Sequence, residues 1–243
     1  DEAVKLVKSG DWVFFQGSTA VPVIIQEALA RRADELRGVN IVSGFNITKG
    51  PAPFCKPEYK DSFFVNSLFL CADQRQYVAE GYGSLIPGFL GELPSLIRRH
   101  EIPIDVACIN CSLPDENGYC SYNISADLAQ PAVEAAKIVI AQVNKSIPYL
   151  YGTAMIHESQ ITAAIECDDP PVDMQFGPPT EIESAIGSYI AAEIPDGATL
   201  QIGVGGIPNA ILNGLKDHKH LGLHTEAMTD GVFSNSNHGK ASP

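Results

Sequence analysis

Residues 196–215 read DGATLQIGVGGIPNAILNGL: a strand-like run, three glycines within four positions, a proline, then a helix-like run. Residues 9–29 read SGDWVFFQGSTAVPVIIQEAL and follow the same order. Gly17 aligns with Gly203 and Pro22 with Pro208 at equal spacing, and Leu29 and Leu215 fall at matching places. Gly10 or Gly197 precedes each strand with one residue of slack. The separation is that of domains and is too long for a solenoid. The repeat therefore implies two related α/β domains, here residues 1–179 and 180–243. The second would hold less than half of a typical domain of roughly 150 residues, so it is expected to be incomplete and the N-terminus, which is not Met, to lack its start.

The intervening sequence alternates in the same way. Strands are expected over 11–17, 39–44, 62–70, 104–112 and 138–144, and helices over 21–36, 91–100, 125–137 and 182–194. Val-, Ile- and Phe-rich strands between helices indicate a parallel sheet covered on both faces. CDDPPVDMQFGPPTEIE (167–183) breaks the rhythm with four prolines and reads as an interdomain connection. SNSNHGKASP (234–243) is a polar tail without periodicity.

The chain has 243 residues, a net charge of −13 and six cysteines. The acidity argues against broad nucleic-acid binding, which needs a basic face, but leaves room for an anionic small ligand. No apolar run has the length of a membrane span. The scattered cysteines read as free thiols of a reducing, cytoplasmic compartment. CINC (108–111) has metal-type spacing but lies in an apolar strand, and HKH (218–220) reads as a solvated helix end, so no metal is expected.

The glycine turn matches neither phosphate motif. Proline stands where G-x-G-x-x-G requires its third glycine, and the Gly-Lys-Ser/Thr ending of a P-loop is absent. Two readings stand. One is a tight turn packing helix on strand. The other is a row of bare N–H groups at a helix N-terminus, suited to a developing oxyanion. GLHTEAMTDG (222–231) adds a short strand ending in a loop. Glu226 would then lie at the carboxyl end of a neighbouring strand, where ligands bind in open α/β sheets, unless it is an ordinary surface glutamate.

Taken together, IGVGGIPNAI (202–211) and GLHTE (222–226) resemble the second-domain signature of the acetyl-CoA hydrolase/transferase family. EAAKIVIAQVNKSIPYLYG (134–152), VACINCSLPDENGYCS (106–121) and EGYGSLIPGFLGELPSLI (80–97) resemble further blocks of it. The likeness covers most of residues 5–232 and is nearest to CoA-transferases of the 4-hydroxybutyrate and butyrate type. It implies two related open α/β domains of the CoA-transferase type with the active site between them. It makes Glu226 the nucleophile that forms a glutamyl-CoA thioester in ping-pong transfer between a short-chain acyl-CoA and a carboxylic acid. A glutamate is ionised at neutral pH by default, so it needs no base.

Backbone N–H groups of Gly203, Val204, Gly205 and Gly206 become candidates for holding the oxyanion and CoA. Gln16, Gly17 and Ser18, in the counterpart turn, become candidates for touching the acid. CoA enters as substrate, with no other cofactor, and the resemblance implies a homo-oligomer. A hydrolase of the same family, a non-catalytic ligand-binding α/β protein and an interaction fragment are the alternatives.

Overall fold

The computed structural model describes residues 1–173, 177–229, 231 and 232. Residues 174–176 of the proline-rich connection, Asp230 and the tail 234–243 lie outside the described residues. Contacts divide the chain into two compact units, one over Asp1–Asp173 and the other over the remainder.

The first unit is built on a seven-stranded, wholly parallel sheet. In chain order its elements are β1 (Trp12–Phe15), α1 (Val23–Ala30), β2 (Val39–Ser43), β3 (Phe63–Ser67), α2 (Ala72–Ala79), β4 (Gly83–Leu85), α3 (Leu93–Arg98) and β5 (Val106–Cys111). There follow β6 (Tyr119–Ser121), α4 (Ala129–Ala135), β7 (Ile138–Asn144), β8 (Met155–His157) and β9 (Ala163–Cys167). The strand order is β4-β3-β2-β1-β5-β7-β9, so the direction of winding reverses between β1 and β5. Strands β6 and β8 form a separate antiparallel pair.

Side-chain alternation explains the two layers. Val13, Phe15, Val106, Cys108 and Ile140 face a core shared with α1 and with Tyr77 of α2. Phe14, Ala107, Ile109, Cys111, Val139 and Ala141 face the opposite core, with Leu93 and Ile97 of α3 and Ala132 of α4. Successive strand residues point to opposite faces, so a central strand buried on both sides must be apolar throughout. Every residue of β5 is buried. At the sheet's edge, β9 alternates between half-buried and exposed.

CINC lies on β5 itself. A spacing of three on a strand sends Cys108 and Cys111 to opposite cores, so the pair cannot share an ion. Burial pushes the Cys108 thiol above its ordinary range.

The helix expected over 21–36 stops at Ala30 and continues as turns. The guanidinium of Arg32 accounts for this, donating to the carbonyls of Val4 and Val7 and so drawing the N-terminal segment across the end of α1.

The second unit contains α5 (Glu181–Glu193), β10 (Thr199–Leu200), α6 (Gly206–Gly214) and β11 (Gly222–Leu223). A capping box starts α5: Thr180 Oγ1 accepts from Glu183 N at 3.2 Å, and Thr180 N donates to Glu183 Oε2 at 2.7 Å. Such a cap contributes about 1 kcal/mol. Helices α5 and α6 run parallel and very close. A Cβ on Gly187 would come 2.6 Å from that of Ala210, and one on Gly214 2.8 Å from that of Ala191. Strands β10 and β11 pair in parallel, Thr199 with Gly222 and Leu200 with Leu223. HKH falls in the loop after α6, where Lys219 and His220 are exposed.

Candidate active site

The glycine turn joins β10 to α6. Gly205 caps the helix at φ 132°, a conformation that side-chain-bearing residues rarely adopt. Pro208 is the third residue of α6, where its missing N–H costs nothing. Among the described residues, no backbone amide from Gly203 to Gly206 donates a hydrogen bond within the chain. Gly203 and Val204 are exposed, and Gly205 and Gly206 half-buried. The turn therefore offers unspent donors at the positive end of a helix.

Thr225 brings Glu226 to this turn. The β10–β11 ladder ends with His224 N donating to Leu200 O at 2.9 Å. Beyond it, Ile202 N donates to Thr225 Oγ1 at 3.1 Å, and the same hydroxyl lies 2.8 Å from Ile202 O. One threonine side chain thus replaces the backbone groups that a longer strand would supply, and the register holds at the same separation of 23 residues. Continued by one residue, that register sets Glu226 opposite Gly203. Glu226 is exposed in a bend, while Ile202 beneath it is buried. A carboxylate-bearing side chain and a row of amides that donate no hydrogen bond within the chain thus follow the ends of two neighbouring strands.

The counterpart turn in the first unit is built differently. Gln16 is fully buried, and its side chain is spent on the backbone. Its Nε2 donates to Tyr122 O at 2.7 Å and to Ser125 O at 2.8 Å, and Asn110 N donates to its Oε1 at 2.7 Å. The side chain braces the turn from within and presents no surface to a ligand, in place of the substrate contact expected from the sequence. Gly17 is required by close approach, since a Cβ there would sit 2.8 Å from Phe45 O. Ser18 adopts φ 55°, donates its N–H to Phe45 O, and accepts from Ile47 N at 3.0 Å. Gly17 and Ser18 are half-buried.

Beside this turn, at the β1–β5 reversal, a small pocket is lined by Thr19, Val21, Ile47, Asn110, Asp169 and Pro170 among others. Asn110 is 3% exposed, and its Oδ1 has no partner among the described residues. The sequence pointed to neither Asn110 nor the pocket. Only the strand order, which places the reversal here, singles them out.

The profile of the acetyl-CoA hydrolase/transferase N-terminal domain matches residues 1–174. The chain belongs to the acetyl-CoA hydrolase/transferase family. It is 38% identical over 233 residues to the 4-hydroxybutyrate coenzyme A transferase of Clostridium kluyveri, a match covering 96% of this chain and 54% of that protein. It is also 38% identical over 236 residues to the succinyl-CoA:acetate/propanoyl-CoA:succinate CoA transferase of Fasciola hepatica, with 96% and 48% covered. The crystal structure of a 4-hydroxybutyrate CoA-transferase from Porphyromonas gingivalis superposes with a TM-score of 0.83 at 36% identity, over 99% of this chain and 56% of that one. The chain spans about half the length of the relatives it matches. Among the described residues, no helix is long and apolar enough to cross a membrane.

Proposed function

We propose that the protein is a CoA-transferase that moves CoA between a short-chain acyl-CoA and a carboxylic acid, with Glu226 as the covalent nucleophile. The observation that carries this reading is the Thr225 tie, which holds the residue before Glu226 to Ile202, the residue before a turn whose amides are unspent. The family relationship supports it, since the relatives are named for CoA transfer involving 4-hydroxybutyrate, succinate, acetate or propanoate.

A glutamate oxygen attacks the thioester carbonyl, the C–S bond breaks, and CoA leaves as thiolate from an acyl-glutamyl anhydride. The thiolate then attacks the glutamyl carbonyl, expelling the first carboxylate and leaving a glutamyl-CoA thioester. A second carboxylate repeats these steps in reverse and departs as the new acyl-CoA, restoring Glu226. Each attack passes through a tetrahedral oxyanion. The amides of residues 203–206 stabilise it, one such donor being typically worth about 2.7–4 kcal/mol of barrier. The sequence of steps needs no metal or redox cofactor.

The test is intact mass after incubation with butyryl-CoA or acetyl-CoA. A gain equal to one covalently attached CoA, absent from Glu226→Ala, is the expected result. No adduct from any short acyl-CoA would favour a binding protein. CoA release that added acetate fails to suppress would favour a hydrolase.

A further inference from the structure

The glycine turn has the backbone of an anion site without the charges of one. Helix N-termini attract phosphates through free amides and the helix dipole. Yet the stretch from Gly177 to Leu215 contains no lysine or arginine. The formal charge that rests on the turn is negative. A Cβ built on Gly206 would lie 2.0 Å from Oε1 of Glu183 and 2.4 Å from its Cδ, so this carboxylate sits directly on the Gly206 α-carbon, at the first residue of α6.

Nor is the carboxylate free to swing away. Its Oε2 accepts from Thr180 N at 2.7 Å and Thr180 Oγ1 at 2.9 Å, in the capping box that starts α5. Those two bonds also hold its pKa below the usual carboxylate range.

We propose that Glu183 is a selectivity residue: its fixed carboxylate, lying against the α-carbon of Gly206 without accepting a hydrogen bond from the amides of residues 203–206, repels phosphate groups from the glycine turn and so reserves the amides for an uncharged thioester carbonyl. The last clause rests on the CoA-transferase reading, whereas the exclusion of phosphate does not. A free phosphate carries one to two charges into the repulsion and can simply stay in solution. A thioester carbonyl arrives neutral and acquires charge only once covalent attack has tied it in place. The phosphates of CoA must then be held elsewhere than on this turn.

Glu183→Gln isolates the charge, because glutamine also completes a capping box. Glu181→Gln, at an exposed carboxylate in the same helical turn, removes the same net charge as a control. Inorganic pyrophosphate binding is measured on the resting full-length protein by calorimetry and by backbone amide shifts of residues 203–206. In Glu183→Gln, pyrophosphate should bind about tenfold more tightly than in the unaltered protein, with shifts at the turn and none in the control. Glu183→Ala, which empties the position, should show at least the same gain. Equal affinity in the unaltered and Glu183→Gln proteins, or an equal gain in Glu181→Gln, would overturn the proposal. Because no acyl-CoA is present, either result is independent of whether Glu226 forms an adduct.

Discussion

The two strand–turn–helix segments share a sequence frame and part company in what they do with their polar groups. In both, a side chain carries a parallel ladder past the end of its strand: Gln16 beyond β1, Thr225 beyond β11. In the first unit the extension is buried and ties the turn to its surroundings, with Gln16 gripping three backbone groups and Ser18 two more. In the second, the amides from Gly203 to Gly206 donate no hydrogen bond within the chain. Equal spacing from glycine to proline conceals this. Pro22 precedes α1, whereas Pro208 is the third residue of α6, so the second helix begins closer to its strand and points its first amides into the turn. One turn is closed and structural; the other is open.

Substitutions can break or sharpen that contrast, beginning with the largest effect. Glu226→Ala should lower CoA-transfer turnover by about 10⁴-fold or more while leaving the unfolding midpoint unchanged, as checked by steady-state kinetics beside a denaturant curve. Gly205→Ala forces a side chain into a φ of 132°. It should displace the amides and cost about 10²- to 10³-fold in kcat, with a smaller change in KM. Gln16→Leu leaves two buried carbonyls and an N–H without partners. It should cost about 3 kcal/mol in urea unfolding. Equal damage from Gln16→Leu to adduct formation in folded protein would erase the distinction between the two turns.

Thr225→Val removes the hydroxyl that ties the Glu226 loop to Ile202. It should cost about 1–2 kcal/mol of stability and slow adduct formation, with Thr225→Ser restoring both. Ser18→Gly should move stability by less than about 1 kcal/mol, because the φ of 55° suits glycine at least as well.

The sequence was most legible where one physical signal dominated. β5 and β7 are nearly continuous apolar runs, and both lie within or on the expected spans. The capping box Thr180–Glu183 opens α5 within one residue of its expected start. The glycine turn and the strand before Glu226 were visible because glycine and proline act through the backbone. Elements without such a signal were missed. α2, ADQRQYVA, buries Asp73, Gln74 and Tyr77 and has no apolar stripe to give a helical period. β9 is an edge strand of small and polar residues, and β4 has only three residues. At the site, the sequence could not show that Gln16 turns inward, since an amide at a strand end serves a ligand or the backbone equally well. Asn110 and Glu183 were invisible for a related reason: each is placed by contacts with residues distant in the chain.

The strand order also bears on how the chain is made. Strands β1 to β4 are laid down outward from β1 in the order of synthesis, and only β5, beginning at Val106, returns to the other side of β1. Until β5 has emerged, the nascent sheet presents β1 as an open edge, with Phe14 and Phe15 on its two faces. An unpaired apolar edge is a template for pairing with another chain, and closing it requires a contact of long sequence separation, which forms slowly. The strand that lies at the centre of the finished sheet is thus the one that waits longest for its partner.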